Sequence, residues 1–138
     1  MKIAILGAGN AGCAVAADLT LKGHEVTLIK TSHAMHDDNF EYMQSHKGEM
    51  TLNEFGKVST AYIHRVTRDL EELQDAEIVI IYIQTNYHEQ LIEKIAPYLQ
   101  KDQILLINPG YLSTAYVLKY CQDKPIIVAE AHQEKRKR

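Results

Sequence analysis

The chain has 138 residues, of which 46% are apolar and 24% are charged, and its net charge is −3. These values are typical of one globular domain and argue against a nucleic-acid partner. No apolar run approaches the roughly 20 residues that cross a bilayer, and the N-terminus lacks the layout of a signal peptide. Cys13 and Cys121 match neither a zinc site nor a redox pair, so we expect reduced thiols in a cytoplasmic protein without membrane contact.

The first thirty residues read as strand, glycine-rich turn, helix and strand. The apolar run Lys2–Leu6 leads into the turn, a helix is predicted over 13–22, and a second strand follows at Glu25–Ile29. The turn consists of Gly7, Ala8, Gly9, Asn10, Ala11 and Gly12. This G-x-G-x-x-G spacing between strand and helix is the fingerprint of dinucleotide binding.

Each glycine of the turn has a distinct predicted role. Gly7 allows the tight turn, Gly9 lets the backbone approach a pyrophosphate, and Gly12 allows helix and strand to pack closely. The helix N-terminus then offers N–H groups and a positive dipole to the phosphates. The alternative is a glycine-rich turn in a related domain that has lost its ligand.

The residues after the second strand predict which cofactor the turn serves. Domains that bind NAD usually have Asp or Glu there, to bind the ribose 2′-hydroxyl. This chain has Lys30, Thr31 and Ser32 instead. A cation and two hydroxyls suit a 2′-phosphate, so we expect NADP or NAD, with NADP slightly preferred. A solvated loop that accepts either cofactor is the alternative.

Residues 33–59 predict a segment that flanks the sheet. Residues 33–47 are mostly polar and favour a helix or an ordered loop. Their potential ligands match no metal-binding spacing, so we expect a solvated face and no metal site. These residues are His33, His36, Asp37, Asp38 and His46. Residues 48–59 alternate and predict a small hairpin with a four-residue turn over 53–56.

The rest of the chain alternates strands with helices. Strands are predicted over 61–66, 77–83, 103–107 and 125–129, and helices over 69–73, 87–99 and 112–121. Thr67 or Asp69 caps the first of these helices, and the second ends before Pro97. This order predicts an α/β Rossmann fold. Its sheet is doubly wound, mostly parallel and six-stranded, in the order 3-2-1-4-5-6, with the small hairpin as an insertion.

Polar residues follow several predicted strands, where a doubly wound sheet forms its ligand crevice. Besides the residues above, they are Gln84, Thr85, Asn108, Pro109, Gly110 and Glu130. The Asn-Pro-Gly sequence also suits a sharp turn without a ligand role, and that alternative stays open. Tyr87 and His88 begin a helix beside the crevice, and we expect His88 to be an exposed helix residue rather than a proton carrier.

Four stretches resemble the N-terminal domain of the octopine/nopaline (opine) dehydrogenases, and more distantly ketopantoate reductase and glycerol-3-phosphate dehydrogenase. They are GAGNAGCAVAADLTLKGHEVTLI, VTRDLEELQDAEIVIIYIQT, QILLINPG and VAEAHQ. The glycine fingerprint is widely shared, whereas Asn-Pro-Gly after the fifth strand and Ala-Glu after the sixth are more discriminating. The resemblance implies cofactor contacts at the three glycines, at the Asn108 turn close to the nicotinamide, and at Glu130.

The resemblance implies an NAD(P)-binding domain of an opine-type oxidoreductase, which acts on CH–NH or 2-oxo acid substrates. The catalytic His and Asp of that family lie in a C-terminal helical domain, and we expect no such domain in this chain. We therefore expect a dinucleotide-binding domain over 1–131, a basic tail over 132–138, and no activity without a substrate domain. A second copy or a separate substrate domain is the expected partner. No catalytic residue is assigned, and whether the chain is an enzyme stays open.

Two other functions remain. One is a free-standing regulatory module that senses nucleotides, like those of potassium-uptake systems. Such modules generally carry an acid where this chain has Lys30, and Asn-Pro-Gly has no place in them. The other is a ligand-free scaffold with an apolar face exposed where a second domain would dock.

Overall fold

The computed structural model describes residues 1–31, 38–110 and 112–131. In chain order, their elements are β1 (Lys2–Leu6), α1 (Asn10–Leu21), β2 (Glu25–Ile29), α2 (Asp38–Ser45), β3 (Glu49–Glu54), β4 (Lys57–Tyr62), β5 (Arg65–Thr67), β6 (Ile78–Tyr82), α3 (His88–Ile95), β7 (Ile104–Asn108), α4 (Thr114–Tyr120) and β8 (Ile127–Glu130). Short 3-10 segments occupy Leu70–Asp75, Thr85–Tyr87 and Ala96–Tyr98. Ser32 and the predicted tail over 132–138 lie outside the described residues.

Six strands form one sheet in the order β5-β2-β1-β6-β7-β8, and all neighbouring pairs are parallel. Numbered along the sheet, this is the predicted order 3-2-1-4-5-6. β3 and β4 form a separate antiparallel hairpin. The predicted Rossmann architecture is therefore confirmed, including the hairpin insertion.

The core has two layers, one on each face of the sheet. α1 and α2 pack on one face, where Cys13, Ala16 and Met43 are buried against β1 and β2. α3, α4 and the 3-10 segments Leu70–Asp75 and Ala96–Tyr98 pack on the other face. β1 and β6 lie in the middle, and their nearly continuous apolar sequences fit strands that are covered on both faces.

One side of the sheet stays uncovered at β7 and β8. The helical segments that follow β5 all pack on the face opposite α1, where Leu73, Ile92 and Val117 enter the core. On the α1 face, Ile127 is 58% exposed and Ala129 is also exposed. No described helix packs over them. We call this region, with the half-buried Leu106 beside it, the β8 face.

The hairpin is longer and its turn is tighter than predicted. β3 and β4 pair along their whole lengths, so only Phe55 and Gly56 form the turn. Both have positive φ, 52° and 76°, as a two-residue type I′ turn requires. The predicted strand over 61–66 was wrong in extent, because Ala61 and Tyr62 continue the hairpin ladder in β4. The third strand of the main sheet is β5 instead.

Helix ends follow the local signals. α3 ends at Ile95, before Pro97, as predicted, since proline cannot donate the next helical hydrogen bond. The helix predicted from residue 69 is the 3-10 segment Leu70–Asp75, and Asp69 caps it by accepting from the Glu71 N–H at 2.9 Å. α4 begins two residues later than predicted, at Thr114.

None of the helices in the described part of the chain has the length and apolar character needed to cross a membrane. The described residues also contain no group of three or more His, Cys, Asp or Glu side chains that could hold a metal ion. His33, His36 and Asp37, which the sequence analysis considered as ligands, lie outside those residues.

Candidate functional site

The parallel register brings the carboxyl ends of the main strands to one edge of the sheet. The paired residues at that edge are Leu6 with Ile29 and Ile81, Tyr82 with Asn108, and Ile107 with Glu130. The predicted residues that the structure places there are the six of the glycine turn, Lys30, Thr31, Gln84, Thr85, Asn108, Pro109, Gly110 and Glu130. The chain reverses its winding direction between β1 and β6, which places the predicted crevice at the glycine turn.

The fold itself requires two of the three fingerprint glycines. Gly7 has φ of 117°, and a Cβ atom there would overlap the backbone carbonyl oxygen of Tyr82 in β6. A Cβ atom on Gly12 would overlap the carbonyl oxygen of Gly7. Side chains at these positions would therefore disrupt the turn in any state of the protein.

Gly9 differs from both. Its φ of −78° and ψ of −174° are extended backbone that any residue adopts. A Cβ atom built on Gly9 meets no atom of the residues that the structure describes within 4 Å. The packing of the described part of the chain therefore gives no reason for glycine here, although the backbone is exposed at the crevice edge.

The first turn of α1 presents its N–H groups at the same place. Gly9 is the N-cap of α1 and supplies no side-chain cap. The first helical hydrogen bond runs from the Cys13 N–H to the Gly9 carbonyl, at 2.9 Å, so the preceding N–H groups of the first turn point out of the helix end. Asn10 and Ala11 are exposed. This arrangement suits an anion such as a phosphate.

Two cations contact one aromatic ring at the ends of β2 and β5. Lys30 is buried, and its Nζ lies 6.0 Å from the centroid of the Phe40 ring. The guanidinium carbon of Arg68 lies 4.6 Å from the same centroid. The strands are joined here, because the Lys30 N–H donates to the carbonyl oxygen of Thr67 at 3.0 Å. We call Lys30, Phe40 and Arg68 the cation cluster.

Arg68 was missed by the sequence analysis. The signal was available, because Arg68 follows the third strand of the main sheet just as Lys30 follows the second. The crevice rule applies to the carboxyl end of every parallel strand.

The turn after β7 is held by β8. The Glu130 carboxylate accepts a hydrogen bond from the Thr114 N–H at 2.8 Å, which satisfies one donor at the start of α4. Gly110 is buried against the Glu130 side chain, and a Cβ atom on Gly110 would lie 2.5 Å from the Glu130 Cβ. The Gly110 N–H also donates to the carbonyl oxygen of Ala131 at 2.9 Å. The Asn108–Pro109 peptide bond is cis.

The prediction for His88 was wrong. Its side chain is fully buried, with both ring nitrogens in hydrogen bonds, although it is the first residue of α3. The adjacent Tyr87 is 52% exposed at the crevice edge. A single polar residue at the start of a helix gives no sequence signal that separates these two environments.

The Cys13 thiol is buried beneath the glycine turn. Its Sγ atom donates a weak hydrogen bond to the carbonyl oxygen of Ala8, at 3.4 Å. Burial raises the pKa of Cys13, and the positive charge of Lys30 partly opposes that shift. This thiol is therefore held in its neutral form, which is unreactive.

Two clefts lie at the opposite, amino-terminal edge of the sheet. One of about 190 Å³ is lined by β1, β2 and β5 residues that include Lys2, Glu25 and Arg65. The other, of about 420 Å³, lies at the starts of β6 and β7. Neither contains a predicted site residue.

Comparison with known proteins identifies relatives of this chain among the dehydrogenases. An opine dehydrogenase from Arthrobacter sp. (strain 1C) is 30% identical over 108 residues, which are 78% of this chain and 29% of that protein. Glycerol-3-phosphate dehydrogenase [NAD(P)+] from Shouchella clausii (strain KSM-K16) is 33% identical over 100 residues, 72% of this chain and 28% of that protein. The chain thus spans less than a third of the length of these relatives.

Solved structures confirm the fold. Octopine dehydrogenase in complex with NADH and L-arginine superposes with a TM-score of 0.75 and 22% identity, over 93% of this chain and 33% of that chain. The resemblances stated from the sequence are therefore confirmed. The model of the family "Ketopantoate reductase PanE/ApbA" matches residues 3–134, nearly the whole sequence. The chain belongs to the ketopantoate reductase PanE/ApbA family.

Proposed function

We propose that the chain binds a nicotinamide dinucleotide across the carboxyl ends of β1 and β6, as the NAD(P)-binding domain of an oxidoreductase. The observation that carries this proposal is Gly9, whose missing side chain leaves space that none of the described residues fills. A pyrophosphate that approaches the backbone at this point accounts for the glycine. The uncapped N–H groups of α1 supply its hydrogen bonds and the positive end of the helix dipole.

The adenosine half of the cofactor then lies over β2 and β5. Lys30, Thr31 and Ser32 remain the proposed contacts to the ribose 2′ position, and we add Arg68. Two cations on one ring favour a 2′-phosphate, so we propose NADP as the preferred cofactor. Arg presents a planar fork that matches phosphate, which makes Arg68 the more specific contact of the two cations.

The nicotinamide half lies over β6 and β7, beside Gln84, Thr85, Asn108 and Pro109. Gly110 and Glu130 serve this half indirectly, since their mutual packing fixes the turn that carries Asn108. When bound, the cofactor supplies the hydride chemistry. The residues of this chain bind the dinucleotide and orient it.

Activity on opine-type substrates, with CH–NH or 2-oxo acid groups, is the further part of this proposal. Its support is the opine dehydrogenase relative, of which this chain spans 29%. The residues that bind the substrate and exchange protons with it then belong to a separate substrate domain or a partner chain. The two free buried cysteines support a reducing compartment such as the cytoplasm.

Substitution of Gly9 tests dinucleotide binding. Gly9→Val places a branched side chain where the pyrophosphate approaches, and we expect calorimetric titration with NADPH and NADH to show binding to the wild type that is lost in the variant. Because the space is open, the midpoint of urea unfolding of Gly9→Val stays close to that of the wild type.

Gly12→Ala is the contrasting variant, because its methyl group overlaps the turn backbone and lowers the unfolding midpoint. Equal binding by wild type and Gly9→Val, or no binding of either cofactor to the wild type at millimolar concentration, contradicts the proposal.

A further inference from the structure

A buried histidine and serine link the two loops on the nicotinamide side of the crevice. His88 is 0% exposed and Ser113 is 1% exposed. The His88 Nδ1 atom lies 2.7 Å from Ser113 Oγ, and its Nε2 atom lies 2.6 Å from the carbonyl oxygen of Ile83. Both distances are short for hydrogen bonds, and both partners come from other segments of the chain.

The bonding partners fix the tautomer of the neutral imidazole. A carbonyl oxygen only accepts hydrogen bonds, so Nε2 carries the proton and donates to Ile83. In the neutral ring Nδ1 is then an acceptor, and the Ser113 hydroxyl donates to it. The arrangement satisfies both ring nitrogens and leaves the imidazole as a rigid connector.

The two ends of this connector attach to different walls of the crevice. Ile83 directly precedes Gln84 and the short 3-10 segment Thr85–Tyr87, which follow β6. Ser113 is the N-cap residue of α4 and closes the loop that follows β7. Glu130 holds the same loop one residue later, through Thr114. The loop after β7 is therefore fixed from both sides.

We propose that His88 and Ser113 are positioning residues that set the distance between these two loops, and thereby the geometry of the site for the nicotinamide half of the dinucleotide. This inference rests on the proposed function. Neither side chain reaches the crevice, since both are buried, so the pair acts through the loop residues. A serine–histidine pair at this depth has no access to a substrate, which excludes a role as nucleophile and base.

A ligand that contains only the adenosine half of the cofactor tests this inference. Adenosine 2′,5′-bisphosphate carries the adenosine half of NADPH and lacks the nicotinamide half. Ser113→Ala removes the hydroxyl donor with little change in volume, and His88→Gln keeps a donor near Ile83 while it loses the bond to Ser113. We expect each variant to bind NADPH about five- to tenfold more weakly than the wild type and to bind adenosine 2′,5′-bisphosphate equally well.

A matched control is available in the same pair of helices. The Tyr120 hydroxyl donates to Glu89 at 3.1 Å, and this bond also links α4 to α3. Tyr120→Phe removes it without touching either loop, so NADPH affinity stays at the wild-type value. If NADH binds the wild type more tightly than NADPH, NADH and AMP replace the two ligands.

Two outcomes overturn the inference. Equal weakening of both ligands assigns the pair to general folding, and unchanged affinity for both removes any role in the site. A non-additive double variant Ser113→Ala/His88→Gln, with no further loss beyond either single variant, supports the pair as one unit. Failure of the wild type to bind any of these nucleotides instead removes the proposed function itself.

Discussion

Individual residues at the crevice divide into those that the fold requires and those that it does not. Gly7 and Gly12 are required because backbone oxygens occupy the positions of their side chains. Gly9 is not required by any described contact. Sequence spacing alone could not make this distinction, because all three residues belong to the same motif.

The cation cluster leads to a prediction about cofactor choice. Lys30→Met and Arg68→Gln each remove one charge with little change in side-chain length. We expect the wild type to prefer NADP over NAD about tenfold, and each variant to lose most of that preference through weaker NADP binding. Added salt should weaken NADP binding more than NAD binding. Titrations of both cofactors at two ionic strengths measure these effects.

Lys30→Met is a better test variant than Lys30→Asp, which would also reverse the charge. Lys30 is buried, and a carboxylate at this position carries its own desolvation cost. Phe40→Leu removes the aromatic ring and retains both cations, so it separates the contribution of the ring from that of the two charges. The assignment fails if the wild type binds NADP and NAD equally and the two charge variants leave both affinities unchanged.

Cys13 leads to a prediction about pH. Its pKa is raised in the folded protein, so above about pH 8.5 the unfolded chain loses this proton before the folded chain does. The unfolded state then binds fewer protons than the folded state, and the free energy of unfolding decreases as pH rises. We expect Cys13→Ala to reduce this decrease between pH 8.5 and about 10, as measured by urea unfolding. An identical pH dependence in the variant would assign the effect to other groups.

At the level of elements, strongly apolar strands were predictable and short or polar segments were not. β1 and β6 were recognised because a strand covered on both faces needs a nearly continuous apolar sequence. The apolar run of β7 gave the same signal, although one of its faces is uncovered. β5 has only three residues and follows a hairpin strand of similar character, so the boundary between them depends on tertiary pairing. The same holds for Arg68, whose place beside Lys30 depends on the pairing of β5 with β2.

The Gln103 side chain makes long-range hydrogen bonds that no local sequence pattern predicts. Its buried amide donates to the carbonyl oxygens of Leu73 and Ala76, at 2.7 and 2.8 Å, and its Oε1 accepts from the Gln100 N–H. Gln103 therefore connects the start of β7 to the 3-10 segment before β6.

Gln103→Leu removes three hydrogen bonds to backbone groups, although the Leu73 carbonyl keeps a second one, from the Ala76 N–H at 3.2 Å. We expect it to lower the free energy of unfolding by about 2–4 kcal/mol, measured by urea denaturation. Gln100→Leu makes the same chemical change at an exposed side chain and should stay within about 0.5 kcal/mol of the wild type. Similar decreases in the free energy of unfolding in both variants would show that the three hydrogen bonds of Gln103 do not stabilise the fold.

On the scale of the whole molecule, the strand order was predictable because alternating strands and helices leave few topologies. The uncovered β8 face follows from the same winding, because the segments after β5 all lie on the other side of the sheet.

The isolated chain should show no dehydrogenase turnover. At the crevice edge, the His88 imidazole is buried and the Glu130 carboxylate accepts from the Thr114 N–H of α4, so neither group is placed to exchange a proton with a substrate. Oxidation of NADPH or NADH is followed with pyruvate, 2-oxoglutarate and mixed amino acids. Steady turnover by the purified chain would show that a catalytic group lies within it.

The uncovered β8 face also determines which part of the sheet unfolds locally most easily. Amide hydrogens exchange with solvent through local opening, which begins where few apolar contacts hold a strand. β8 is a four-residue edge strand with Ile127 and Ala129 exposed, whereas β1 lies between two strands and is covered on both faces. Exchange measured by mass spectrometry should therefore be fast in β8 and α4 and slowest in β1, and equal protection would contradict this. The glycine turn then rests on the most persistent part of the sheet, while the loop after β7 depends on the part that opens first.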